Sequence, residues 1–156
     1  MEFLKLKCPP PIVMLLSGLL SLLLSQRGGE FLQLQIADMS NLLWPLSFLL
    51  AGVALAAAGV KEFITHHTTI NPLEPNKTKH LVMSGVFQLT RNPMYLGMLI
   101  VLLGWGDFLD NFLGFSGALV FFLYMTAFQI KPEEAIMRDK FGEPYRQYCQ
   151  SVRRWL

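Results

Sequence analysis

The chain has 156 residues, a length that suggests one domain. Hydrophobic residues make up 53% of it and charged residues 15%, where a soluble domain carries about 25% charged residues; lipid rather than water is the expected main solvent. A net charge of +2 is too small to argue for nucleic acid, and the two cysteines, Cys8 and Cys149, have no spacing that suits a disulfide framework or a zinc site.

The N-terminus is short and basic, with Lys5 and Lys7, and Pro9-Pro10-Pro11 leads into an apolar run from Ile12 to Leu24. A full span needs about 20 residues, so this run is short. A signal peptide is the competing reading, but no small-x-small cleavage site follows. A first membrane helix entered through the proline segment is predicted. Gln26 to Asn41 is a polar loop. Leu42 to Val60 is an uncharged second span whose alanines and glycines predict close helix packing in lipid.

Lys61 to Thr90 is the longest polar connection and holds all three histidines, His66, His67 and His80. Adjacent histidines on a helix point apart, so His66-His67 is a poor chelate, and no metal is expected. Asn92-Pro93 reads as a helix start: asparagine can cap the first turn, and proline at the first position loses only an N–H that has no partner. The free N–H groups of that turn favour an anionic ligand group, and Arg91 adds a positive charge beside them. Met94 to Gly106 is the third apolar run. After a polar turn from Asp107 to Asn111, Phe112 to Ile130 is the fourth. The tail from Lys131 reads as two short helices, opened by Pro132 and Pro144 and separated by Gly142. In the second, Tyr145, Tyr148, Cys149 and Val152 share one face, which suits a membrane surface.

The fold class is therefore all-α: a polytopic membrane protein with about four transmembrane helices and a short cytoplasmic helical C-terminal tail. With four spans, every lysine and arginine except Arg27 falls on one side. The positive-inside rule then makes both termini and the long connection cytoplasmic, as in a bacterial inner membrane.

Several segments are similar to one family. Leu81 to Phe87 reads Leu-Val-Met-Ser-Gly-Val-Phe, and Arg91 to Gly97 reads Arg-Asn-Pro-Met-Tyr-Leu-Gly. Glu133-Glu134, Phe141-Gly142-Glu143-Pro144-Tyr145 and Arg153-Arg154-Trp155 follow in order. This set resembles the isoprenylcysteine carboxyl methyltransferase family of integral membrane enzymes, from about Thr69 to the last residue. The resemblance implies S-adenosylmethionine as methyl donor, bound between the polar connection, the start of the third span and the tail. It implies donor-binding roles for Lys79, His80, Leu81, Val82, Phe87, Asn92, Pro93, Met94, Tyr95 and Glu133, and makes Glu133, Arg91 and Tyr95 the catalytic candidates. Each has a plainer alternative. Glu133 can be a helix-dipole partner, Asn92 a helix cap, Tyr95 an interfacial anchor, and Arg91 a positive-inside charge. The implied acceptor is an apolar or lipid-like small molecule drawn from the membrane lipid, an isoprenylcysteine-like carboxylate among the candidates. Gln129 and Pro132 stand where eukaryotic members tend to carry basic residues, so methyl transfer is better supported than that acceptor. The competing function is a non-catalytic membrane assembly or lipid-binding protein that keeps the fold. A transporter would want ionisable residues within spans and repeated halves, and neither is present in the sequence.

Overall fold

Pro10 opens the first helix, α1 (Pro10–Gln26), in a computed structural model that describes residues 6–26, 39–68, 78 and 80–156. Val13, Ser17 and Ser21 recur every four residues and form its buried stripe, while Leu15, Leu16, Leu19 and Leu23 face outward. The stripe packs closely because its partner offers a glycine. Gly117 N donates to Ser21 Oγ at 2.9 Å, and a side chain at Gly117 would run into the Ser17 carbonyl. Trp105 adds a second tie, its Nε1 donating to Gly18 O at 3.0 Å.

The second helix, α2 (Met39–Thr65), is 27 residues long and runs past Val60. Lys61 and Glu62 do not stop it, because both are good helix formers; the His66-His67 turn does, with His67 at φ +50°. Only 11% of its most apolar stretch is buried within the protein. Leu42, Leu43, Trp44, Leu49, Leu50 and Val53 are all exposed, a surface that fits lipid and not water. The inner side of α2 is made of small residues. A Cβ on Gly52 would lie 2.5 Å from Gly97 O, and one on Gly59 would lie 3.0 Å from Pro93 Cγ. The backbones of α2 and of the third helix, α3 (Pro93–Phe108), therefore touch, as the alanines and glycines of the second span predict.

After α3 the chain reverses. Asp110 takes φ +45°, and the Asn111 side chain accepts from Leu113 N at 2.8 Å. A 3₁₀ turn (Phe112–Phe115) leads into α4 (Ser116–Tyr124), a π-helical segment (Met125–Ile130) and α5 (Lys131–Phe141) without a break. The sequence predicts that Pro132 opens a separate helix; instead it lies within a continuous one. A proline inside an α-helix crowds the carbonyl four residues back and gives it no N–H. The wider π turns before Pro132 relieve that crowding, and the carbonyl concerned, Phe128 O, accepts instead from Leu6 N at 3.1 Å. Gly142 ends α5 at φ +58° and α6 (Glu143–Ser151) follows.

All described regular structure is helical. Two helices, Leu42–Thr65 and Phe112–Phe141, are long and apolar enough to cross a membrane; α1 and α3 are apolar but shorter.

Candidate active site

One end of this bundle carries the polar chemistry. Its first wall is the loop before α3. Gly85 takes φ +55°, the left-handed region that glycine enters without a Cβ penalty, and Glu62 occupies the space a Cβ would fill. Ser84 Oγ donates to Glu62 Oε2 at 2.5 Å and lies 2.9 Å from His66 Nε2. The last turns of α2 thereby hold this loop in place. The short 3₁₀ turn Gly85–Gln88 then buries Phe87, whose ring stacks on Phe63 with centroids 5.0 Å apart and planes 12° apart. Tyr148 of α6 closes the other side, its hydroxyl donating to Phe87 O at 2.7 Å. Burial pushes the Tyr148 and Tyr145 phenols above their ordinary value, so Tyr148 remains a donor.

Pro93 occupies the first turn of α3 with Asn92 before it, as expected, but the Asn92 side chain caps nothing. Its Nδ2 donates to Arg154 O at 2.9 Å instead. The tail has returned to this loop, and its carbonyl holds the Asn92 amide through Nδ2 while Oδ1 makes no cap. Arg91 N donates to Arg153 O at 3.0 Å, and Thr90 Oγ1 to Arg154 O at 3.3 Å.

The two adjacent glutamates at the start of α5 part ways. Glu133 points to α3, where its Oε1 accepts from the Tyr95 hydroxyl at 2.7 Å and from Gln129 Nε2 at 2.6 Å. Glu134 is buried between two arginines. Arg91 Nη2 lies 3.0 Å from its Oε1, and Arg154 donates from Nε at 2.9 Å and from Nη2 at 2.7 Å. The carboxylate raises the Arg154 guanidinium above its ordinary value. Arg91 also reaches the Cys149 thiol through Nη1, while its buried Nε has no partner.

These groups surround a single cleft of about 110 Å³, or about 810 Å³ of empty space when its open mouth is included. His80, Leu81, Val82, Phe87, Arg91, Asn92, Pro93, Met94, Tyr95 and Glu133 all line it. Lys79 lies outside the described residues. Sequence reasoning missed Phe63, Thr78, Ile130, Glu134, Met137, Tyr145 and Tyr148 as lining residues. Tyr145 and Tyr148 were readable as one face of α6, but that face packs into the protein and not onto a membrane surface. Phe63 gave no signal, because α2 extends into what reads as a polar connection.

Residues 41–144 match the model of a family described as phospholipid methyltransferase. The chain belongs to this family. As a phospholipid methyltransferase family member it joins a family of integral membrane methyltransferases, and the motif resemblance of the loop, α3 and the acidic pair is borne out. Two similar proteins place it further. An uncharacterized protein of Haemophilus influenzae is 48% identical over 63 residues, which is 40% of this chain and 100% of that protein. The protein-S-isoprenylcysteine O-methyltransferase of Schizosaccharomyces pombe is 32% identical over 110 residues, 69% of this chain and 45% of that protein. This phospholipid methyltransferase family chain thus aligns with less than half of the yeast enzyme's length. No solved structure matches it at a significant level.

Proposed function

We propose that this protein is an integral membrane methyltransferase that takes its methyl group from S-adenosylmethionine and delivers it to an apolar, lipid-like acceptor. The observation that carries this reading is the convergence of the family's separate motifs on one cleft, joined by the 2.7 Å bond from Tyr95 to Glu133.

The cleft suits the donor by its chemistry. Glu133 offers a carboxylate with Oε1 already committed, leaving Oε2 for a cationic or hydrogen-bond-donating group. Arg91 Nε is a buried donor without an acceptor, and the first turn of α3 has no side-chain cap, so both favour a carboxylate. Phe87 and Phe63 present stacked rings for a flat heterocycle. When bound, the donor supplies a methyl group activated by its sulfonium. The chain's own work is to orient that group and exclude water, since in-line transfer needs no covalent nucleophile. Tyr95 and Gln129 fix the Glu133 carboxylate, and Glu134 fixes Arg91.

The acceptor enters from lipid in this reading. Ile130, Met94 and Met137 give the cleft an apolar side. An isoprenylcysteine-like carboxylate is one such acceptor. α1 and α3 join the two longer helices as spans, for four in all, with both termini in the cytoplasm.

Titration of detergent-solubilised protein with S-adenosylhomocysteine tests the donor site, and transfer of labelled methyl from S-adenosylmethionine into a lipid extract tests the reaction. Binding and transfer are both expected. No binding would overturn the donor assignment. Binding without transfer to any membrane lipid would favour a non-catalytic protein that keeps the fold.

A further inference from the structure

The residues after α6 return to the loop before α3. Val152 leaves α6 in extended backbone, at φ −124° and ψ 132°, and residues 153–155 cross the loop before α3. Several polar groups of this crossing bond to that loop and to the helices beside it. Arg153 O and Arg154 O accept from Arg91 N, Asn92 Nδ2 and Thr90 Oγ1. Trp155 Nε1 donates to Thr126 Oγ1 at 3.1 Å, and its ring packs on Phe122 at 5.1 Å between centroids. The Arg154 guanidinium lies on Glu134.

We propose that residues 152–155 form a strap that sets the geometry of the donor cleft, with Arg154 as a positioning residue acting through Glu134 and Asn92. The proposal rests on the donor-site reading above. Arg154 is not among the residues lining the cleft, so it works on groups that are. Glu134 is 8% exposed and Arg91 10% exposed; with Arg154 gone, one buried carboxylate would hold one buried guanidinium and two donors would be lost from it. Glu134 would then be fixed from one side only, and Arg91 would be held less firmly against it. The neighbouring backbone bonds to residues 153 and 154 would lose their anchor on that side. Only arginine can supply both bonds, because its fork is planar and carries several donors, whereas lysine presents a single point charge.

Within the strap, Trp155 packs against the core beside Phe122, whereas Arg154 takes no part in the helix-to-helix contacts. The α1–α4 contact rests on Ser17, Ser21 and Gly117, and the α2–α3 contact on Gly52 and Gly97. Arg154→Ala keeps Trp155 and these contacts, so it should loosen the cleft and leave the bundle standing.

The test compares wild type with Arg154→Ala, Arg154→Lys and Trp155→Phe, full length and in detergent. S-adenosylhomocysteine affinity is read by titration and backbone exchange by hydrogen–deuterium mass spectrometry. Arg154→Ala is expected to weaken binding by about tenfold or more, the scale of a charge-assisted bond. It should speed exchange across residues 85–97 while α1 and α4 exchange as in wild type. Arg154→Lys should recover part of both, and Trp155→Phe should speed exchange at 90–92 by losing one bond. The proposal is overturned if Arg154→Ala leaves exchange at 85–97 unchanged, or if exchange rises equally throughout the bundle. It is also overturned if Arg154→Lys matches Arg154→Ala in every measurement. Absence of ligand binding in wild type would sink the donor reading alone, because the exchange measurement tests the strap without any ligand.

Discussion

Replacing Glu133 with glutamine keeps the side chain's length and removes its charge. In the structure Tyr95 and Gln129 both donate to Oε1. Glutamine can satisfy those two donors only by turning its carbonyl toward them, which puts an NH₂ group where Oε2 stands. A donor then faces the position where a ligand's donor would be met. A hydrogen bond to a charged group contributes about 1.5–3 kcal/mol, so S-adenosylhomocysteine affinity should fall about 10- to 150-fold. Tyr95→Phe is the control. Its bond to Glu133 exists before any ligand arrives, so most of its energy cancels between the free and bound protein. The loss there should stay below about tenfold. Calorimetric titration in detergent, with circular dichroism to establish intact helices, reads both. If Glu133→Gln binds within threefold of wild type, Glu133 is not a donor ligand. If Tyr95→Phe is the more damaging change, the carboxylate is not the group that the ligand reads.

Three further outcomes follow from the geometry. Gly52→Ala puts a Cβ 2.5 Å from Gly97 O; the overpacking should cost about 1–3 kcal/mol, seen as a lower unfolding midpoint in a dodecyl sulfate titration. Gly85→Ala asks alanine to adopt φ +55° where Glu62 already sits, so it should weaken ligand binding with little change in helix content, and undiminished binding would show that the loop does not shape the cleft. Tyr148→Phe strips the donor from a buried Phe87 carbonyl and should cost about 1–3 kcal/mol. Tyr148 also gives a pH signature. Its folded value is raised above the ordinary 10.0, so the folded protein holds a proton that the unfolded chain gives up. Its contribution to stability is therefore complete below about pH 10 and declines as pH rises beyond it. Unfolding midpoints measured from pH 8 to 11 should show a smaller alkaline fall in Tyr148→Phe than in wild type.

The parts of this protein that could be read from the sequence are those fixed by neighbours along the chain. Apolar runs end where proline, glycine or charge intervenes, so the starts of α3 and α6 could be read from Pro93 and Pro144, and the entry to α1 from the proline segment before Ile12. The residues of the loop and α3 form one motif, and they reach the same cleft because only a few residues separate them. What could not be read depends on distant segments. Nothing near Asn92 reveals that a carbonyl 62 residues later will take its side chain. Nothing near Glu134 reveals Arg154, and so the sequence assigns a role to Glu133 alone. The continuity of α4 into α5 depends on the π turns and on Leu6 supplying the N–H that Pro132 lacks, a contact between opposite ends of the chain.

Helix lengths account for the depth of the cleft. From Phe112, which is 89% exposed, to Glu133 the chain rises roughly 30 Å at about 1.5 Å per residue, one hydrocarbon thickness. α3 returns through 16 residues, only about 24 Å. Yet Tyr95 in its first turn bonds to Glu133, so the short helix must be met by a loop that dips toward it. α2 makes that possible. Its Gly59 packs on Pro93, and its remaining residues to Thr65 rise about 9 Å beyond, carrying Glu62 and Phe63 to hold the loop at that depth. In the proposed four-span arrangement the site would lie at the edge of the apolar belt, because α3 is too short to leave it. The methyl donor and lipid-like acceptor proposed above could both reach such a place, one from water and one from lipid, and lengthening α3 by one turn should separate Tyr95 from Glu133 and abolish binding.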